Sequence, residues 1–414
     1  MKLSHQSIIC LLFCLILFFS TGALIDFWVL GTSDVFAVEP LNPQLRGQIW
    51  ALLYLGMVIY TARHFRRVYE FLSKNQAFFL VIFFILISFT WSDIPSKSIY
   101  SAVQLIIITC FVIVAASKLS INQVLQCLYF TLSVIIVLSA FTVLALPEYG
   151  TRIYVGELSY RGVFIEKNRL GQVLVYYLCF SIFLFKPKTT NYIVAGCAAF
   201  LITNNNSMTA LLLCFFTIIL IGIVRLLKTN PIIRNKNLSI ISLILTVSLL
   251  ILFLAFEAIM LALGKDPTLT GRTELWKYGI DAILERPFTG FGYDAYWSST
   301  YEWGGEYMRQ VISWGPMSMH NGWYELILQI GIPGFSLFLY LFIKTMTSVI
   351  QNLNKEQNEI LSLIFMLLVL FMIWSLFQHI ILRHQAFNHI LFTVILVLLQ
   401  RCLSTPTKQL SGKT

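Results

Sequence analysis

Long stretches of this chain carry almost no charge. Leu11–Phe19, Phe78–Phe89 and Leu238–Leu263 are nearly uninterrupted apolar runs. A helix of about 20 apolar residues crosses a bilayer, and the backbone must be helical wherever lipid touches it. The composition agrees: 58% of residues are hydrophobic and 12% charged. Soluble domains carry about 25% charged residues, so an ordinary water-soluble globule is excluded. The expected fold class is all-α: a polytopic integral membrane protein with about twelve transmembrane helices and a helical outer loop domain.

The expected spans cover residues 6–25, 47–62, 76–91, 99–117, 121–146, 170–186, 190–203, 207–227, 238–263, 321–350, 358–378 and 386–402. Charge orients them. With a cytoplasmic N-terminus, the inner loops hold most of the 29 basic residues, including Arg63, Arg66, Arg67, Lys74, Lys118, Lys186, Lys188 and the C-terminal Arg401, Lys408 and Lys413. Outer loops hold most of the acids. The positive-inside rule then puts both termini in the cytoplasm, with the N-terminal segment a retained signal anchor. A net charge of +10 is thus an orientation signal, and no nucleic-acid partner is needed to explain it. The eight cysteines fall in or beside predicted spans, where they read as small buried hydrophobes rather than a disulfide framework. The chain reads as one integral membrane domain, 1–414, with two long outer loops at 147–169 and 264–320.

The larger loop has four of the nine tryptophans and five tyrosines. Within it, residues 273–286 have the spacing of an amphipathic helix with Leu275, Trp276, Ile280, Ile283 and Leu284 on one face, ended by Pro287. The aromatic density has two readings. Tyr and Trp anchor loops at a membrane interface; alternatively they stack on sugar rings while Asp294, Glu302 and Glu306 bond hydroxyls beside Trp297 and Trp303. Composition leaves these tied. The smaller loop ends in RGVFIEKNRLGQ, Arg161 to Gln172. It has the look of a solvated cap, yet Arg161, Lys167 and Arg169 face outward against the charge bias. An anionic headgroup or diphosphate would account for cations there, and for Arg272 and Arg286.

Three motifs in order resemble one family. His320-Asn321, nine residues, Gly331, two residues and Gly334 is similar to the HN-x9-G-x-x-G pattern of the bacterial O-antigen ligase/polymerase superfamily. Thr270-Gly271-Arg272, Trp276, Arg286-Pro287 and Gly290-Phe-Gly292 resemble the block entering that family's main periplasmic loop. Gly162 to Gly171 resembles a segment of its exopolysaccharide-polymerase branch, with Glu166 standing where a histidine is expected.

The resemblance implies a glycosyltransferase working without nucleotide or metal. A saccharide on undecaprenyl diphosphate, at the periplasmic face of the bacterial inner membrane, is passed to a sugar hydroxyl of lipid A core or of a growing polysaccharide. His320, with an unperturbed pKa of about 6.5, would take the hydroxyl proton. Arg272, Arg161 and Lys167 would hold the diphosphate. Asn321, Asn168, Trp276 and Glu325 would complete substrate binding. Gly331 and Gly334 would let a helix approach its neighbour, and Pro333 would bend it. His379, His384 and His389 with Arg383, near the last outer turn, are further candidates. The competing function is a lipid-linked oligosaccharide flippase or polysaccharide permease. That activity calls for charge lining the spans, which here, apart from residues toward their inner ends, hold only Glu257 and Glu325.

Overall fold

The computed structural model describes residues 5–24, 43–154, 157–184, 186–229, 271–353 and 359–404. The expected span at 238–263, with Glu257, and the loop residues 264–270 lie outside the described residues. The other eleven expected stretches all fall in helices: α1 His5–Ser20, α2 Pro43–Ala62, α4 Gln76–Ile87, α5 Pro95–Lys118, α6 Ile121–Ala145, α8 Lys167–Leu184, α9 Thr189–Asn204, α10 Met208–Thr229, α13 Gly322–Leu353, α14 Glu359–Ser375 and α15 Phe387–Ser404. Of these, α5, α6, α13 and α15 are each long and apolar enough to cross a membrane. A fifth candidate is the pair α3 (Phe65–Lys74) and α4, bent by 109° at Asn75.

Helix α3 is a departure from the sequence reading, which left 63–75 as an inner loop. Its residues Val68 and Phe71 are buried while Arg66, Arg67 and Lys74 are exposed, so it is amphipathic and lies across the end of α4. Asn75 fixes the corner: its Nδ2 donates to the Phe71 carbonyl (2.9 Å) and to Gln400 Oε1 of α15 (2.6 Å).

Helices α14 and α15 are buried almost all round. A helix that is apolar on every side belongs in the middle of a bundle. Here Phe342, Phe371 and Phe392 stack across α13, α14 and α15, the last two with ring centroids 5.4 Å apart. Large apolar side chains also point outward, among them Phe79, Phe83, Phe130, Phe141 and Phe215. On a protein in water such a surface would be a liability; against acyl chains it costs nothing.

Both long loops carry structure of their own. In the smaller one, a short helix α7 (Pro147–Gly150) leads into an antiparallel hairpin, β1 Thr151–Tyr154 with β2 Glu157–Tyr160, paired Thr151 to Tyr160 and Tyr154 to Glu157. In the larger one, α11 (Arg272–Glu285) and α12 (Gly305–Val311) fold with their connections into a cap on one end of the bundle. The cap has a small core of its own: Leu275, Ala282, Phe291, Tyr296, Met308, Ile312, Met319 and Leu328. On α11 the buried face is Leu275, Gly279 and Ala282, whereas Ile280 and Leu284 point outward. The stripe is rotated from the expected one because two small residues let α11 lie close: a Cβ on Gly279 would stand 2.0 Å from the Met319 methyl.

The Gly-Ile-Pro-Gly stretch explains how cap and bundle join. α13 is broken at Gly331 (φ 67°, ψ −179°), two residues before Pro333. Proline has no N–H, so the carbonyl of Gln329 has no helical donor. The cap supplies donors to the broken turn: Phe291 N–H bonds the Leu328 carbonyl (2.8 Å) and Gly292 N–H the Gln329 carbonyl (2.9 Å), while Ile332 N–H turns to Pro287 O (2.7 Å). The close approach is therefore to the cap backbone, not to a neighbouring span. At Gly334 the nearest neighbour is Ile330 of its own helix.

A candidate anion site beneath a neutral histidine

His320 is held by its neighbours before its own ring is considered. It adopts a left-handed backbone (φ 47°) at the junction of cap and α13. Such a conformation costs a non-glycine residue of order 1–3 kcal/mol, and persists where the surroundings fix it. Here Met319 is pinned on both sides: its carbonyl accepts from Trp276 Nε1 (2.8 Å) and its N–H donates to Glu325 Oε2 (2.8 Å). On the other side, Asn321 caps α13, its Oδ1 accepting from Trp323 N–H (2.9 Å) and Tyr324 N–H (3.3 Å). Trp276, Asn321 and Glu325 all serve to set the position of His320 in the chain. The Trp314 ring lies 5.6 Å from its imidazole.

Glu325 is fully buried, and its carboxylate also accepts from Trp297 Nε1 (2.6 Å) and Gln329 Nε2 (3.2 Å), with His379 Nδ1 3.7 Å away. Burial and the neighbouring Arg272 guanidinium push the His320 pKa down to about 4, against the opposing pull of Glu166 and Glu325; the Arg383 guanidinium lowers it further. The imidazole is therefore neutral at pH 7, a state in which it can accept a proton. Arg272 donates from Nη1 to the Phe377 carbonyl (3.1 Å), which ties α11 to the turn between α14 and α15.

That turn, Leu376–Ala386, forms much of a polar cavity of about 300 Å³. Arg46, Arg169 and Arg383 contribute three guanidinium groups to its walls, with His379, His384 and a single carboxylate, Asp294. Two non-glycine residues in left-handed conformation, Leu382 (φ 49°) and Gln385 (φ 57°), bracket Arg383 and His384. Tyr293 of the cap holds this shape: its hydroxyl donates to the Leu382 carbonyl (2.6 Å) and accepts from the His384 N–H (3.1 Å). Asp294 accepts from Ser101 Oγ (2.7 Å) and lies 4.0 Å from His384 Nδ1. Burial also lowers the pKa of His379 and His384, so the standing positive charge of the cavity is that of its arginines.

The cations of the smaller loop occupy different surroundings. Arg169, one turn into α8, lines the cavity. Arg161 is buried and donates from Nε to the Tyr149 carbonyl (2.8 Å), Lys167 reaches Ser159 Oγ (3.4 Å), and Asn168 Oδ1 accepts from Ser207 Oγ (2.9 Å). Arg161 thus closes the base of the hairpin on α7, Lys167 ties the hairpin to α8, and Asn168 ties α8 to the turn between α9 and α10. His389 is buried in α15, on Thr109 Oγ1 (2.7 Å), away from the cavity wall. Arg286 pairs with Asp93 and lies over the Tyr301 ring, 4.2 Å from its centroid, inside the cap.

Arg46 was missed by sequence reasoning because it lies in the N-terminal turn of α2, with no motif around it. Arg383 was placed near the last outer turn but carried no pattern either. The one signal available was its position: an arginine between two histidines, outside, against the orientation of charge.

The profile of the O-antigen ligase family matches residues 192–339, which includes the cap, His320 and the Gly331 break. The chain is also 24% identical over 329 residues to the exopolysaccharide production protein ExoQ of Rhizobium meliloti (strain 1021), covering 76% of this chain and 74% of that protein. Both comparisons point the same way as the resemblance read from the motifs: the chain is similar to O-antigen ligases and to an exopolysaccharide production protein.

Proposed function

We propose that this protein is a membrane glycosyltransferase that moves a saccharide from undecaprenyl diphosphate to a sugar hydroxyl at the periplasmic face of the inner membrane. In this reading the chain is one domain of about twelve spans, with both termini cytoplasmic and both structured loops outside. Two observations support it: a His320 imidazole kept neutral by burial and by the Arg272 and Arg383 guanidiniums, and a polar cavity walled by Arg46, Arg169 and Arg383.

The roles follow from the chemistry. The bond between the anomeric carbon and the diphosphate oxygen breaks, and a bond from that carbon to the acceptor oxygen forms. The diphosphate leaves with the electron pair, and the acceptor proton passes to His320. Arg272, Arg169 and Arg383 carry the charge that stabilises the leaving diphosphate, since a guanidinium fork binds phosphate oxygens in pairs. His320 and Arg272 act at the reacting atoms. Trp276, Asn321 and Glu325 are positioning residues, and Arg161, Lys167 and Asn168 hold the loop that presents Arg169.

ExoQ is named for exopolysaccharide production, which favours a growing polysaccharide over lipid A core as the acceptor. The test uses the purified protein in lipid, supplied only with undecaprenyl-diphosphate repeat units and no nucleotide or divalent metal. A ladder of longer lipid-linked chains establishes polymerisation. A shift of added lipid A core without a ladder establishes ligation, and neither product with either acceptor removes the proposal.

A further inference from the structure

The polar cavity is lined by neutral hydrogen-bonding side chains as well as by arginines. Gln172, Gln378, Gln385 and Asn388 all contribute to it. Each of these amides already has a partner. Gln172 and Asn388 bond one another in both directions (3.3 Å), Gln378 Oε1 accepts from Trp374 Nε1 (3.0 Å), and Gln385 Nε2 donates to the Tyr54 hydroxyl (3.1 Å).

His384, which also lines the cavity, is different. Its backbone N–H donates to Tyr293, but its ring forms no hydrogen bond among the described residues, and 22% of the side chain stays exposed. Asp294 Oδ2 lies 4.0 Å from Nδ1. A carboxylate there favours the tautomer with its proton on Nδ1, which leaves the Nε2 lone pair open. Burial lowers the pKa of His384, against the pull of Asp294 and with the help of Arg383, so that lone pair is present at pH 7.

The pair is fixed from outside. Asp294 takes a left-handed backbone (φ 58°), held by its N–H on Gln329 Oε1 (3.2 Å) and by Ser101 Oγ on its carboxylate (2.7 Å). With Leu382 and Gln385, three non-glycine residues of positive φ gather at one imidazole, as they do at binding and catalytic sites.

A lone pair in such a place has a narrow choice of ligand. The oxygens of a diphosphate diester carry no proton to give it, whereas a sugar hydroxyl or N-acetyl N–H does. We propose that His384 is a specificity residue, its Nε2 accepting from a hydroxyl or N-acetyl N–H on the sugar bonded to the diphosphate. This rests on the reading above, in which the arginines hold that diphosphate.

The test is lipid binding by the purified full-length protein. The probes are undecaprenyl diphosphate carrying glucose, galactose or N-acetylglucosamine, and its methyl ester, which keeps the charge of the donor without a sugar. Wild type should bind at least one sugar-linked lipid more tightly than the methyl ester. His384→Ala should weaken that lipid by about fivefold, the size of one hydrogen bond, and leave the methyl ester within about twofold. His384→Gln, which restores a neutral acceptor, should recover part of the loss. A wild type that binds the methyl ester as tightly as every sugar-linked lipid overturns the role of His384 and leaves the proposed reaction standing. So does a His384→Ala variant whose loss is absent or equal for all four lipids. Failure of wild type to bind any of the four removes the proposed reaction itself, and this role with it.

Discussion

The carbonyl of Phe288 lies against the α-carbon of Gly331, where a Cβ would stand 2.3 Å from the oxygen. This contact joins the cap to the broken turn of α13, and it sets the first prediction. Gly331→Ala has to accept a left-handed backbone and also push the cap away. The conformation alone, φ 67° with ψ −179°, is one that essentially only glycine adopts and costs another residue about 1–3 kcal/mol. The variant should lose several degrees of melting temperature and most transfer activity, read by thermal unfolding and product size. Gly334→Ala, whose neighbour is a side chain of its own helix, should be milder in both.

His320→Ala should lower transfer by about 10²–10⁴-fold, the range general-base removal produces. Protein level and insertion should stay as in wild type, because the Met319 and Asn321 bonds that hold the junction do not use the imidazole. Activity within tenfold of wild type would remove His320 from the reaction.

The pH dependence follows from the same residue. A histidine with its pKa lowered to about 4 stays largely neutral between about pH 5 and 6, where an exposed imidazole would be mostly protonated. A base is active when neutral, so kcat/KM should stay level as pH falls through 6 and drop only near 4. An acid limb centred near 6.5 would mean that the ring is not buried beside Arg272 as described.

Arg383→Ala and Arg161→Ala should separate. Arg383 faces the cavity, and its loss should raise KM for the lipid-linked donor and lower kcat, with little change in melting. Arg161 bonds the Tyr149 carbonyl from a buried position. Its loss removes a part-buried hydrogen bond worth about 0.5–1.5 kcal/mol, so stability should fall more than donor affinity.

Glu325→Gln should act through position. Gln keeps one acceptor oxygen where the carboxylate serves Met319, Trp297 and Gln329. The amide nitrogen then meets a donor. The expected result is a lowered kcat with the acid limb of the pH profile shifted, since the junction holding His320 loosens. An unchanged pH profile would confine Glu325 to stability.

Much of this arrangement was legible in the residues. Apolar run length located the helices, because lipid leaves the backbone no other partner, and His320 with its following glycines marked the junction. What the sequence could not show were the relations across distance. That Arg46, Arg169 and Arg383 face one cavity depends on how α2, α8 and the last turn pack, and none of the three sits in a periodic pattern. The rotated face of α11 was hidden because Gly279 and Ala282 look weakly apolar in sequence, although their small size is what brings the helix close. Proline drew attention at position 333, yet the break falls at Gly331, where the glycine adopts a backbone that other residues resist.

The exchange of main-chain bonds between residues 287–292 and 328–332 has a mechanical consequence. A roof tied to the span below it by Phe291, Gly292 and Ile332, and to the α4–α5 corner by Asp93 N–H on the Phe291 carbonyl (3.2 Å), does not hinge open without unravelling that span.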